Sequence, residues 1–293
     1  MGVRHNLKHS IINILKHNRD GSRNTQATRK KRLMLVADQL VDEGYQLEHV
    51  NKLKYKHVQH LVKYWLNQGL SPGTIKNRMT DLRWVTQKLG KHDLIPANNY
   101  TLDIPRREYV TNKDKSIILI EEQLSKIQDS NIKLSLILQQ AFGLRRGESI
   151  KIRINQAVVN DQLHLQGSWC KNGRARVVKI QYAEQWEAIK LCKAYVGNTN
   201  HSLIPIEKTY YQQLKKYENE LINAGINKAH GLRHAYAQRR YQDLTGRSCA
   251  ARGGLLKQEM TEDQLRLDKT ARQVISIELG HERLELVAVY CGK

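Results

Sequence analysis

A glycine-rich turn that carries an arginine and a glutamate is the first candidate for chemistry. In the run G-L-R-R-G-E at 143–148 the first glycine permits a tight backbone turn, and Glu148 follows Arg145 at a spacing that allows an ion pair. A guanidinium group held in this way presents a fork of donors to two phosphate oxygens. Taken alone, the pair could equally be a structural ion pair.

A lysine occupies the predicted tip of a β-hairpin. Lys171 precedes Asn172-Gly173, a dipeptide typical of hairpin turns, and such a tip can reach into a groove of DNA. One solvated lysine among many is the competing interpretation. The basic residues that follow, Arg174 and Arg176, are predicted to contact DNA.

Three histidines and one tyrosine of the C-terminal third are further candidates for chemistry. His230 and His234 are four residues apart, but no glutamate or third ligand stands where a zinc protease needs one. The position four residues after His281 holds Glu285, so that motif also fails. We therefore expect no metal. Tyr290 follows His281 by nine positions, and alone it would be an apolar anchor.

Together, and in chain order, these motifs resemble the tyrosine recombinase (phage integrase) family. The resemblance rests on G-L-R-x-x-E at 143–148, the hairpin lysine with a basic strand at 171–178, H-x-L-R-H at 230–234, and L-G-H at 279–281 with its tyrosine. It implies a site-specific recombinase that serves phage or mobile-element integration and excision. Such enzymes cut and rejoin DNA through a 3′-phosphotyrosine without a cofactor.

The resemblance implies six catalytic residues around one phosphate: Arg145, Lys171, His230, Arg233, His281 and Tyr290. Tyr290 is the expected nucleophile, and Arg145 and Arg233 are expected to stabilise the transition-state charge. Lys171 is the expected general acid. The resemblance gives a proton-transfer role to His230, a phosphate hydrogen bond to His281 and a supporting, orienting role to Glu148.

Two departures from the family pattern lead to further expectations. Arg233 and His281 are 48 positions apart, a longer gap than many members have, which indicates an inserted loop around 246–266. The chain also ends three residues after Tyr290, so subunits are expected to make contact without a C-terminal tail, and Tyr290 is expected to be mobile until DNA binds. A non-catalytic DNA-binding accessory protein with this fold and a Xer-like dimer-resolution recombinase stay open as alternatives.

The elements that must position these residues differ between the two halves of the chain. Apolar spacing predicts helices from Leu33 to Gly44 and from Val58 to Gly69, and a third from the Ser71-Pro72 cap. Three residues of that third helix lie off its apolar stripe and are predicted to contact DNA phosphates: Lys76, Arg83 and Lys88. The first half is thus predicted to be an all-helical bundle, and the resemblance implies a SAM-like core-binding domain.

The second half mixes helical and alternating patterns. Alternation predicts three antiparallel strands, at 151–154, 162–166 and 176–180. Helical spacing surrounds them at 120–128, 131–142, 184–196, 208–223, 233–243, 268–279 and 283–290. The predicted class is mainly α with a small antiparallel sheet, and the resemblance implies the α+β catalytic domain of the family. The predicted domains are a basic arm at 1–32, a core-binding domain at 33–102, a linker at 103–116 and a catalytic domain at 117–293.

The net charge of the chain indicates what kind of partner it binds. The 293 residues carry a net charge of +21, with a surplus of 11 in residues 1–108 and 10 in residues 109–293. Such a surface favours double-stranded DNA, and we expect a tetramer on paired sites with possible DNA-bending accessory proteins. No apolar run is long enough for a membrane helix, so a cytoplasmic, DNA-associated protein is expected. The four cysteines lack metal or redox spacing and are expected to be reduced thiols.

Overall fold

The chain divides into two compact units. The computed structural model describes residues 2–293, leaving aside the side chain of Asn172. The first unit ends at Glu108 and the second runs from Tyr109 to Lys293, so the division falls inside the segment predicted as a linker. Within residues 2–293, no helix combines the length and the apolar character needed to cross a membrane.

The first unit is a bundle of four helices. These are α1 (Val3–His17), α2 (Arg23–Asp42), α3 (Tyr55–Asn67) and α4 (Pro72–Lys88). Helix α4 starts as predicted, because the Ser71 hydroxyl accepts a hydrogen bond from the Thr74 amide and proline occupies the first turn. Apolar side chains from all four helices form one core, which includes the fully buried Trp65.

The first part of the predicted basic arm is a packed helix. Leu7 and Ile11 of α1 are buried in the core of the first unit. The basic side chains of α1 lie outside that core, where Lys8 forms an ion pair with Asp38 at 2.6 Å. The segment was therefore predicted as a basic arm because of its many positive charges, although its few apolar residues have the spacing of an amphipathic helix.

The second unit surrounds a small sheet with helices. Its helices are α5 (Glu121–Ser125), α6 (Ser130–Phe142), α7 (Arg146–Lys151), α8 (Ile154–Ala157), α9 (Ala183–Val196), α10 (Tyr210–Asn223), α11 (Gly231–Thr245), α12 (Glu262–Glu278) and α13 (Ala288–Cys291). Strands β1 (Val158–Val159), β2 (Gln162–Leu165) and β3 (Arg176–Lys179) pair antiparallel in chain order. The predicted class, mainly α with a small antiparallel sheet, is confirmed.

The first strand was predicted in the wrong place. Residues 151–154 connect α7 to α8, and their alternation arises because Ile152 and Ile154 are both buried where one helix ends and the next begins. The strand follows at 158–159 and turns through Asn160, which has a φ of 53°. Lys171 also differs from its predicted hairpin tip, because it lies in a 3₁₀ turn (Lys171–Gly173) within a longer connection between β2 and β3.

The segment at 246–266 is packed in part, although an inserted loop was expected there. Cys249, Ala250 and Ala251 are buried, and the last of the three lies in the same core as Tyr290. Helix α12 begins at Glu262, capped by the Thr261 hydroxyl, several residues earlier than the sequence indicates. Part of this segment is therefore helix and core, and most of residues 252–263 are exposed.

Candidate active site

A sharp turn after α6 positions the first arginine. Gly143 ends the helix with a φ of +60°, and a Cβ at this position would lie 2.6 Å from the Tyr236 ring. Only glycine meets both conditions without a shift of the backbone or of that ring. The chain then turns into α7, and Arg145 stands immediately before that helix with a partly exposed side chain.

A buried carboxylate holds Arg145. Glu148 is 1 % exposed and accepts hydrogen bonds from both the Arg145 main-chain amide and its Nη1, each at 2.8 Å. Burial alone would raise the pKa of Glu148, but hydrogen bonds and positive charge from Arg176, with further help from Arg145 and Arg233, lower it to about 2. Glu148 is therefore ionised throughout the physiological range.

The second arginine lies deeper. Arg233 is 1 % exposed, and it donates from Nη1 to the Gly143 carbonyl at 2.6 Å and from Nη2 to the Leu279 carbonyl. Burial lowers its pKa to about 10, with nearby Arg145 contributing to the decrease, so the guanidinium stays charged at neutral pH. These two hydrogen bonds orient Arg233, and through them Arg233 connects the turn after α6 to the residue that follows α12.

Tyr290 contacts Arg233 and three histidines. Arg233 Nε donates to the Tyr290 hydroxyl at 3.3 Å, and the Tyr290 ring lies 4.7, 5.5 and 5.9 Å from the rings of His234, His281 and His230. Tyr290 is itself 5 % exposed, and Gln238 donates to its carbonyl at 3.1 Å. The sequence suggested a mobile tyrosine, whereas here the residue is packed and hydrogen-bonded.

The histidines around Tyr290 are neutral at physiological pH. Burial, followed by the charges of Arg233 and Arg145, lowers the pKa of His281 to about 3. His230 is exposed as a residue, but partial loss of solvent around its ring and the charges of Arg233 and Arg145 lower its pKa as well. A neutral imidazole can accept a proton from a phenol or donate a hydrogen bond to an anion, depending on its tautomer.

A cleft of about 830 Å³ brings three of the predicted catalytic residues to one surface. Arg145, Lys171 and His230 line it, and the contact between the His230 and Tyr290 rings connects it to the buried group of Arg233, His281 and Tyr290. The structure thus gathers all six predicted residues. Within residues 2–293, no three His, Cys, Asp or Glu side chains are placed to hold a metal ion.

Comparisons with known proteins identify the family of the chain. A family profile described as phage integrase, N-terminal, matches residues 5–95, and one described as integrase matches residues 109–239. The chain belongs to the tyrosine recombinase family. A comparison with curated protein sequences gives no match.

Solved tyrosine recombinases share the fold at low sequence identity. A lambda integrase dimer bound to a COC′ core site superposes with a TM-score of 0.60 at 12 % identity, over 97 % of this chain and 94 % of that one. The XerH site-specific recombinase bound to difH gives 0.54 at 16 %, over 97 % and 80 %. The Tn1549 transposon integrase with circular intermediate DNA gives 0.53 at 14 %, over 99 % and 95 %.

The DNA contacts predicted for this recombinase need correction at Arg176. Arg176 is 9 % exposed, with its guanidinium bound to Glu148, so it cannot reach a phosphate. The strand alternates, and position 176 faces inward, which a count of basic residues does not reveal. Its neighbour Arg174 is exposed and forms an ion pair with Glu282, and its contact with DNA stays a prediction.

The three α4 residues also differ from one another. Arg83 is engaged within the first unit, since its guanidinium donates twice to the Pro96 carbonyl and once to Asn99 Oδ1. Lys88 forms an ion pair with Asp20 at 2.9 Å. The bonds of Arg83 to Pro96 and Asn99 hold its side chain against a loop, whereas the sequence predicts that it projects from the helix. Contact of Lys76 with DNA stays a prediction.

Sequence reasoning missed a buried network next to the site. Arg240 donates to both oxygens of Glu278, and the Tyr236 hydroxyl donates to the same carboxylate at 2.9 Å. His234, the last residue of the H-x-L-R-H motif, packs on Tyr290, a contact that the sequence does not predict. Helical spacing offered a signal, because 233, 236, 237 and 240 fall on one face of α11.

Proposed function

We propose that this recombinase cuts and rejoins DNA with Tyr290 as the nucleophile. One observation carries the proposal, namely the hydrogen bond from Arg233 Nε to the Tyr290 hydroxyl at 3.3 Å, in a pocket that His230 and His281 complete. A phenol in contact with a buried guanidinium and neutral imidazoles has a cation to stabilise developing charge and a base to accept its proton.

In the proposed first step, the Tyr290 oxygen attacks the scissile phosphorus while its proton passes to a neutral imidazole, and we assign that role to His230. The bond between phosphorus and the 5′-oxygen breaks, and Lys171 at the cleft donates a proton to that leaving oxygen. Arg145 and Arg233 stabilise the added negative charge, and His281 donates a hydrogen bond to the phosphate. A 5′-hydroxyl from a second DNA end then attacks the phosphotyrosine and gives its proton to Lys171. The bond between phosphorus and the Tyr290 oxygen breaks, and His230 returns a proton to the tyrosine.

Double-stranded DNA is the proposed partner, consistent with the net charge of +21. Structures of similar fold include a lambda integrase tetramer bound to a Holliday junction, which supports a tetramer on paired sites as a proposal for this chain. The same proposal includes DNA-bending accessory proteins as partners and association with DNA in the cytoplasm. It also includes a role in the integration or excision of a phage or mobile element. Xer-like resolution of DNA dimers is the alternative biological role.

Sequencing the recombination junctions made in cells comes first, because it defines the DNA site and separates integration from dimer resolution.

A substrate nicked beside that site then tests the chemistry, since the broken strand cannot be rejoined and the covalent complex accumulates. We expect an adduct with the wild type and with Tyr211→Phe, a control at an exposed tyrosine, and none with Tyr290→Phe. An adduct with Tyr290→Phe would contradict the assignment.

Arginine variants separate catalysis from binding. Arg145→Ala should keep the mobility shift of DNA but lose cleavage, because Arg145 is partly exposed and Glu148 keeps its bonds to Arg176. Site-specific binding by the wild type without any adduct or strand exchange would instead favour a non-catalytic accessory protein.

A further inference from the structure

Arg176 is a buried arginine that the proposed mechanism does not use. It stands at the start of β3, and its side chain is 5 % exposed. Its guanidinium donates from Nη2 and Nη1 to the two carboxylate oxygens of Glu148, at 2.7 and 3.0 Å. Its Nε donates to the Glu278 carbonyl at 2.7 Å. One side chain thus spans two segments that are far apart in sequence.

Both anchors of Arg176 carry residues of the proposed site. Glu148 holds Arg145 through the main-chain amide and the guanidinium, so fixing the carboxylate also fixes Arg145. Glu278 is the last residue of α12, and the next residues are Leu279, whose carbonyl accepts from Arg233, and then Gly280 and His281. Arg176 therefore contacts both the turn that presents Arg145 and the helix end that presents His281.

The bond geometry needs an arginine. Three separate N–H groups act at once, and the two directed at Glu148 form the parallel fork that a guanidinium makes with a carboxylate. An ammonium group could keep the positive charge next to Glu148, but its single nitrogen cannot occupy the three positions from which Nε, Nη1 and Nη2 donate.

The lack of a side chain at a neighbouring glycine leaves space for the Arg176 side chain. Gly280 has a φ of +63°, and a Cβ there would lie 2.9 Å from Arg176 Cδ. Because the Arg176 side chain is buried and bonded at three nitrogens, it cannot swing aside as a free arginine would.

We propose that Arg176 is a positioning residue, which acts by setting Arg145 and the His281 turn in register around one phosphate. The proposal rests on the proposed function, since it concerns the same site. Arg176 touches no substrate, and it acts through Glu148 and the Glu278 carbonyl.

The test uses Arg176→Lys in the full-length protein, which retains the charge and removes the fork. Lys179→Met, at an exposed position of the same strand, is the matched control. The first readout is the low-temperature NMR signal of the Arg145 Nη hydrogens, one of which bonds Glu148, in the DNA-free protein, assigned with Arg145→Lys. We expect a slowly exchanging signal in the wild type and in the control, and a broadened or lost signal in Arg176→Lys.

The second readout is the single-turnover rate of covalent complex formation on the nicked substrate. We expect Arg176→Lys to bind DNA as the wild type does but to react about 10²-fold more slowly, since a misplacement of about 1 Å in a catalytic group has that effect. An unchanged Arg145 signal together with the wild-type rate would overturn the proposal and leave Arg176 as a counter-charge for Glu148.

Two further arms keep the test decisive. If Arg176→Lys does not fold, Glu148→Gln/Arg176→Met is compared with Glu148→Gln, because neither variant contains an unpaired Glu148 carboxylate. A slower reaction of the double variant supports positioning, and equal rates contradict it. If the wild type forms no adduct, the proposed function fails, while the Arg145 signal still decides whether Arg176 holds that side chain.

Discussion

The first unit keeps nearly all of its charged side chains outside an apolar core, whereas the second unit buries several of them. Among residues 2–108 one arginine is buried, Arg29, which stacks 4.0 Å over the Trp84 ring. Between Tyr109 and Lys293 four arginines are buried: Arg176, Arg233, Arg240 and Arg272. Each of the four donates to a carboxylate or to main-chain carbonyls.

This difference shows that a uniform surplus of charge can serve two purposes. In the first unit most of the charged side chains lie at the surface. In the second unit, several arginines are buried, and their hydrogen bonds hold helix ends together around Tyr290. Removing a surface cation, as most cations of the first unit are, should therefore have a small effect on stability, and removing a buried arginine of the second unit should have a large one.

The largest effect is expected from Arg233→Met. The substitution leaves the Gly143 and Leu279 carbonyls without their donor, and each buried unpaired group costs about 1–3 kcal/mol. It also removes the cation next to the Tyr290 hydroxyl. We expect a lower free energy of unfolding in urea and no covalent adduct. Wild-type stability would mean that the carbonyls find other donors and that the buried arginine is not structural.

The next effect concerns neighbouring arginines on α11. Arg240→Met leaves the buried Glu278 carboxylate without its cation, which should lower the free energy of unfolding by about 3–5 kcal/mol. Arg239→Met is the matched control, because Arg239 is half exposed and pairs with Glu184 at the surface; about 1 kcal/mol or less is expected. Hydrogen exchange followed by mass spectrometry would locate the change. Similar losses in both variants would remove the distinction between buried and surface charge.

Acidification should destabilise the second unit through its histidines. Protein burial lowers the folded-state pKa of His281 to about 3 and of His234 to about 4, so unfolding at low pH takes up protons on both. Their contribution to stability is complete above about pH 6.5 and is lost as the pH falls through 6.5 toward 4. We expect the pH dependence of urea unfolding in this window to be shallower for His281→Asn, by one proton. An unchanged slope would show that His281 protonates as easily in the folded protein as in the unfolded chain.

The smallest effect is expected in the first unit. Lys8→Met removes an ion pair with Asp38 whose two side chains are each about one-third exposed, and the free energy of unfolding should change by less than about 1 kcal/mol. Calorimetry of the full chain would measure it. A loss as large as that of Arg240→Met would contradict the contrast between the two units.

The sequence predicts the fold and the members of the site better than it predicts their surroundings. Helical spacing and caps locate α3 and α4 well, because apolar stripes and the Ser71-Pro72 start are local signals. The motifs also identify Arg233 and Tyr290, which the structure brings into contact. Catalytic roles and DNA contacts stay predictions.

What the sequence could not predict depends on contacts between distant segments. Arg176 and Arg174 differ by two positions and have the same charge, yet one is buried by its bond to Glu148 and the other is exposed. The alternation at 151–154 fits a strand as well as it fits the junction of two short helices. The buried pair of Arg240 and Glu278 joins residues 38 positions apart, and no local pattern reveals it.

The close approach of Gly280 to the β3 arginine links two positions that are 104 residues apart. A methyl group added at 280 would press on a side chain that has nowhere to go, and the strain would be felt at Glu148 on the opposite side of that arginine. In an engineered or evolving member of this family, a larger residue at 280 would therefore need a shorter side chain at 176, and it would still have to adopt the left-handed backbone of Gly280, with its φ of +63°.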